Sequence, residues 1–171
     1  MKLFYVIVLT LSLTGCATSH YHQPYRAPET YAPTPALSAK TPLGLIPSTD
    51  FSWPLRGNIV SYFQEASGDF RNKGIDINGI EGECVKASES GKVVYSDTRM
   101  RGFGMTIIID HGADTQTVYA YNSELLVKTG DRIKKGDPIA KVGSTGRAKT
   151  PTLHFEIRKN GEPVDPLKYL R

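Results

Sequence analysis

Apolar and polar residues alternate in short runs over residues 51–171, and turns cut the runs about every eight to twelve residues. The runs are "NIVSYF" (58–63), "GIDIN" (74–78), "CVKAS" (84–88), "GKVVYSD" (91–97), "MTIIIDHG" (105–112), "QTVYAYN" (116–122), "RIKKGDPIAKVG" (132–143) and "TLHFEIRKNG" (152–161). Val, Ile, Thr and Tyr are common in them, the types that fit a pleated surface. Nothing between them is long and periodic enough to be a helix. Short strands at even spacing predict an all-β domain, and about 120 residues suit a single one.

Before residue 51 the pattern is different. Residues 1–15, "MKLFYVIVLTLSLTG", have a positive start at Lys2 and an apolar run too short to span a bilayer. They read as a secretion signal. Its exit, "LTGC", resembles the lipobox of bacterial lipoproteins, which implies lipidation of Cys16 as the new N-terminus. Ala17 stands where that pattern puts Asp for inner-membrane retention, so the resemblance implies an outer-membrane anchor facing the periplasm. Residues 16–50 are rich in Pro, Thr, Ser and Ala without apolar periodicity. Such a segment predicts a disordered tether, reaching roughly 100 Å if polyproline-like and roughly 30 Å as a coil. His20 and His22 lie on it with no second ligand pair nearby.

The formal net charge is +4 and the pI about 9.0, with the cations dispersed. That bias does not predict a nucleic-acid partner. It suits contact with an anionic wall polymer. The chain has two cysteines. With Cys16 acylated no intramolecular disulfide is available, so Cys84 reads as a small, partly buried packing residue.

Candidate chemistry concentrates on two strands. In "TLHFEIR" the residues Thr152, His154, Glu156 and Arg158 share one face, and Leu153, Phe155 and Ile157 the other. In "NKGIDI" the residues Asn72, Gly74 and Asp76 share a face. Adjacent strands would bring Asp76 and His154 together, an adjacency that spacing alone leaves open.

The segments "NKGIDI", "GKVVYS", "GFGMTIIIDHG", "TVYAYNSEL", "VKTGDRIKKGDPIAKVGSTG" and "LHFEIRKNGEPVDPLKYL" occur in the order of a LytM (lysostaphin-type) zinc metallopeptidase domain, which the stretch from about Trp53 to Leu170 resembles. The resemblance implies an antiparallel β-sheet with a groove, and a family site of three zinc ligands and two catalytic His. Position by position, the first ligand His falls on Asn72, the ligand Asp on Asp76 and the second ligand His on His154. The catalytic His positions fall on Tyr121 and Thr152. Asp76 and His154 are thus relic ligands, and no metal, cofactor or catalytic residue is expected. Catalytic zinc takes three protein donors and a water, Asn is a poor donor to it, and neither Tyr nor Thr suits proton transfer near neutral pH. His111, in "IIIDHG", reads as framework.

The pattern resembles the NlpD and EnvC type regulators, which implies binding and activation of a periplasmic N-acetylmuramoyl-L-alanine amidase in daughter-cell separation. Peptidoglycan is a further expected partner. The expected partner-binding groove comprises Asn72, Lys73, Asp76, Tyr121, Thr152, His154 and Arg158. The alternatives are a peptidoglycan-binding scaffold lipoprotein and a zinc endopeptidase with unusual ligands. A biotinyl-type carrier is disfavoured because no Lys sits at a tight hairpin tip. NlpD-like proteins usually carry a LysM module, and this chain has a Pro-rich segment there.

Overall fold

The computed structural model describes residues 50–171. The secretion signal, Cys16 and nearly all of the expected tether lie outside the described residues. The strands are, in order, β1 (Ile59–Ser61), β2 (Ala66–Ser67), β3 (Phe70–Arg71), β4 (Ile75–Asn78), β5 (Cys84–Lys86), β6 (Gly91–Met100), β7 (Gly104–Gly112), β8 (Thr115–Asn122), β9 (Glu124–Leu125), β10 (Arg132–Ile133), β11 (Pro138–Lys141), β12 (Thr152–Lys159) and β13 (Glu162–Val164). One 3₁₀ turn, Pro166–Lys168, is the only helical element among the described residues. The all-β, antiparallel expectation holds.

An eight-stranded sheet runs in the order β1-β4-β12-β8-β7-β6-β10, with β13 also paired to β12. A smaller sheet has the order β5-β11-β9, and β2 and β3 form a separate hairpin. The core lies between the two larger sheets. Ile75, Ile77, Ile107, Ile109, Tyr119, Leu153, Phe155 and Ile157 come from one, and Val85, Ile139 and Ala140 from the other. Each of these is sealed from solvent, and each large one contributes about 1.5–3 kcal/mol of burial. Strand alternation therefore sends the other face of the large sheet away from the core.

Two boundaries and one cysteine differ from the sequence reading. The run 132–143 is two strands, because Lys134 to Asp137 form a turn: the Asp137 carboxylate accepts the Lys134 N–H at 2.8 Å and Gly136 takes φ 87°. The run 152–161 turns back at Asn160-Gly161, both with positive φ, so that β13 pairs with β12. Cys84 is half-buried on β5 and disulfide-bonded, which corrects the expectation of a packing residue without a disulfide. A position half open to solvent at the start of a short strand leaves its sulfur within reach of a partner.

His111 belongs to the framework. Its Nδ1 donates to Ser90 O at 2.8 Å, and its Nε2 lies 2.8 Å from Thr117 Oγ1. The Tyr119 hydroxyl lies 3.0 Å from Thr117 Oγ1 and accepts the Ser88 N–H at 2.9 Å. Burial pushes the His111 pKa down, more than its contacts with Ser90 and nearby carboxylates raise it. The ring is neutral and ties the end of β7 to the loop before β6.

Candidate functional site

The site stands on the face of the large sheet turned away from the core. β12 pairs antiparallel with β4, and the register sets His154 opposite Asp76. On its other side β12 pairs with β8, with His154 opposite Ala120. Gly74 permits the close approach of β4 to β12: a Cβ there would lie 2.1 Å from Phe155 O. The adjacency of Asp76 and His154 that the spacing left open is therefore present.

Four charged side chains form a row of alternating sign across this face. Asp76 Oδ1 lies 2.6 Å from His154 Nδ1, and Glu156 Oε1 lies 3.0 Å from His154 Nε2. Glu156 Oε2 accepts from Arg158 at 2.7 Å (Nε), and the Arg158 Nη2 contact is 2.6 Å. Ionised carboxylates only accept, so the His154 ring donates at both nitrogens and is an imidazolium. Burial opposes that charge, but hydrogen bonds and charge from Asp76 and Glu156 outweigh it and raise the His154 pKa. For Glu156, 0 % exposed, burial likewise opposes ionisation, and His154 and Arg158 together push the pKa down. The row sums to zero charge, the condition under which buried ions are tolerated.

This row gives a pH-dependent stability with a definite sign. The Glu156 part is present above the ordinary Glu value and is lost as pH falls through its lowered folded pKa. The His154 part is present below the ordinary His value and is lost as pH rises through its raised folded pKa. The row therefore contributes most between about pH 4.3 and 6.5. Urea midpoints measured from pH 4 to 9 are expected to fall on the alkaline side in the parent chain. In His154→Gln that His-linked decline should disappear.

A groove of about 580 Å³ opens over this row. Asn72, Lys73, Asp76, Tyr121, Thr152 and His154 line it. Arg158 does not; its guanidinium is held on Glu156. Asn72 is committed at both ends of its amide: Nδ2 donates to Ser61 Oγ at 2.9 Å and Oδ1 accepts the Gly74 N–H at 3.0 Å. Its backbone closes the β2–β3 hairpin, donating to Glu65 O and accepting from Gln64 N–H. Thr152 is buried, with Oγ1 3.5 Å from Thr150 Oγ1.

Tyr121 owes its position to a bulge. Between β7 and β8 the pairs Ile107↔Tyr119 and Met105↔Asn122 leave an extra residue on β8, and Tyr121 takes φ 69°. A bulge re-aims a side chain. Here it sets the Tyr121 ring 5.3 Å from the His154 ring. Phe103 packs edge-on to His154 from 5.3 Å. Burial, then the Asp76 charge, pushes the Tyr121 pKa up to about 12. The phenol keeps its proton at neutral pH, and its hydroxyl makes no hydrogen bond among the described residues.

Several lining residues escaped the sequence reading. Glu156 was placed on the right face but not seen as the centre of the row; the His-x-Glu-x-Arg alternation was its available sign. Phe70, Arg71, Arg147 and Lys149 add an aromatic and three cations to the rim. The Arg147 guanidinium lies 4.0 Å over the Phe70 ring and links the 143–151 loop to the β2–β3 hairpin. No sequence pattern joins residues so far apart.

Residues 70–166 match the model of peptidase family M23. The chain belongs to this family. This M23 chain is 46% identical over 120 residues to "Outer membrane antigenic lipoprotein B" of Haemophilus influenzae, covering 70% of this chain and 29% of that protein. It is 43% identical over 124 residues to "Murein hydrolase activator NlpD" of Escherichia coli, covering 72% and 32%. A solved "zinc containing peptidase" from Vibrio cholerae matches with a TM-score of 0.61 at 28% identity, over 69% of this chain and 38% of that one. The chain spans about a third of the length of these two curated relatives. A structural neighbour of this chain is thus a zinc-containing peptidase by name, and relatives of this chain carry activator and lipoprotein names.

A catalytic zinc does not fit the donors in this M23 groove. Neutral imidazole offers a lone pair to a metal, whereas both His154 nitrogens here hold protons shared with carboxylates. The Asn72 carbonyl oxygen is already an acceptor for Gly74. Among the described residues no three His, Cys, Asp or Glu side chains are grouped to hold a metal ion.

Proposed function

We propose that this chain is an M23-family lipoprotein without peptidase activity that binds and activates a periplasmic N-acetylmuramoyl-L-alanine amidase. The observation that carries the reading is the closure of the His154 ring between Asp76 and Glu156. A ring used at both nitrogens as a structural cation is not poised to ligate or to accept a proton. Asn72, Tyr121 and Thr152 supply no general base in its place. The groove keeps its shape and gains contact chemistry. Tyr121 is a half-buried aromatic with an open hydroxyl, the kind of residue that dominates interface energetics. Lys73, Arg71 and Arg147 on the rim favour a partner surface with carboxylates. The activator name of the Escherichia coli relative supports the same reading.

Anchorage through Cys16 to the outer membrane, facing the periplasm, completes the proposal. The chain's two cysteines make it testable. A diacylglyceryl thioether consumes the Cys16 sulfur, so in the lipidated chain the Cys84 disulfide would have to be made to a cysteine of another molecule. The intact mass of the processed chain is expected to show the lipid adduct. A mass for the unacylated chain with its cysteines oxidised would reject the anchor.

Complex formation tests the partner. The purified chain is titrated by calorimetry into each periplasmic amidase of its host. One saturable 1:1 complex is expected, weakened by Arg147→Glu. Absence of binding heat with every amidase would remove the activator reading.

A further inference from the structure

Two segments of unlike construction wall the groove. The 143–151 loop is tied to the sheet. The Thr145 hydroxyl donates to Asn122 O at 2.8 Å and accepts the Met105 N–H at 3.1 Å. The Arg147 N–H donates to Gly102 O at 3.1 Å, which fixes the loop to the turn between β6 and β7.

The β2–β3 hairpin, in contrast, is tied mainly to itself. Among the described residues β2 and β3 pair only with each other. Gln64 N–H donates to Asn72 O, and Asn72 N–H to Glu65 O. The Glu65 carboxylate accepts the Tyr62 N–H at 2.6 Å, and the Arg71 guanidinium donates to Gln64 O at 3.2 Å. Every residue from Gln64 to Arg71 is exposed. At the base of the hairpin Gln64 takes φ 63°, a conformation that strains a residue with a Cβ. A segment with few buried apolar groups and solvent-exposed backbone hydrogen bonds opens well before the domain unfolds.

The two walls touch where the Arg147 guanidinium lies 4.0 Å over the Phe70 ring. No hydrogen bond or ion pair joins the hairpin to the 143–151 loop among the described residues. Phe70 is 58% exposed, so the core does not hold its ring. The cation–π contact is the specific hold between a fixed wall and a self-contained one.

We infer that the β2–β3 hairpin is a lid over the groove and that the Phe70–Arg147 pair is its latch. A carboxylate offers Arg147 a charge-assisted, two-point pair, which outweighs a cation–π contact at an exposed site. An acidic partner segment therefore releases the lid as it takes Arg147. This gating of a partner rests on the activator reading; the lid itself does not.

Hydrogen–deuterium exchange of the full chain tests the lid without any partner. Phe70→Ala is expected to speed exchange over residues 62–72 about two- to fivefold, the equilibrium weight of an exposed cation–π contact. Exchange over residues 105–112, in the core of the sheet, should stay at the parent rate. Phe70→Leu keeps an apolar side chain but loses the ring, and should behave like Phe70→Ala. Parent-like exchange over 62–72 in either variant would overturn the latch. Equal acceleration over 105–112 would overturn the lid as a separately opening unit. Stopped-flow association with an amidase that binds the parent tests the gating. The association rate should rise in Phe70→Ala by the same factor as the exchange, because both follow the open fraction. An unchanged association rate beside faster exchange would overturn the gating. A parent chain that binds no amidase would remove the activator reading and with it the gating, while the exchange result still decides the lid.

Discussion

Glu156→Ala is expected to destabilise the domain by about 3–5 kcal/mol, the cost of breaking a buried ion pair by removing one partner. Glu156 is wholly buried and holds two cations, His154 at 3.0 Å and Arg158 at 2.6 Å. Its loss leaves the imidazolium facing only Asp76 and frees Arg158 from its buried anchor. Against a total stability of about 5–15 kcal/mol for a typical domain, the loss should be plain in a urea titration followed by circular dichroism. Replacing the row together, as Asp76→Val, His154→Leu, Glu156→Leu and Arg158→Met, should cost less than the single change. Apolar groups of similar volume remove the desolvation burden along with the pairing. A Glu156→Ala chain as stable as its parent would mean that the row is solvated and carries little.

Tyr121→Gly is expected to separate stability from activation. Tyr121 sits at φ 69°, a left-handed conformation that costs a residue with a Cβ about 1–2 kcal/mol. Glycine relieves that cost, which offsets the lost burial of the ring and the greater freedom of the unfolded chain. The net change in stability should stay within about 1 kcal/mol. Removal of the aromatic anchor should nevertheless weaken the amidase complex about 30-fold, the equivalent of about 2 kcal/mol for a hot-spot residue. Calorimetry of the complex and a urea titration of the free chain measure the two effects separately. A parallel fall in both would make Tyr121 a framework residue, and no change in affinity would move the interface elsewhere.

Much of this arrangement was legible in residue order because strand physics is local. The alternation of "TLHFEIR" assigned Leu153, Phe155 and Ile157 to the core, where they are wholly buried. The same alternation gathered Thr152, His154 and Glu156 on the opposite face. That face does look into the groove, and all three residues are nevertheless buried. Charge pairing, which has no sequence period, is what allows it. The β2–β3 hairpin was invisible because "EASGDFR" is short, polar and turn-rich. The cavity partners Phe70 and Arg147 meet only through loop closure over a long stretch of chain. Arg158 shows the limit of face assignment: it lies on the expected face, but Glu156 draws its guanidinium out of the groove.

Dye release from labelled sacculi tests the central claim most directly. The processed chain is assayed alone and with each amidase of the host. The account predicts no release by the chain alone and stimulated release with at least one amidase. Release by the chain alone, abolished by a chelator, would contradict it and mark the groove as an active metallopeptidase site.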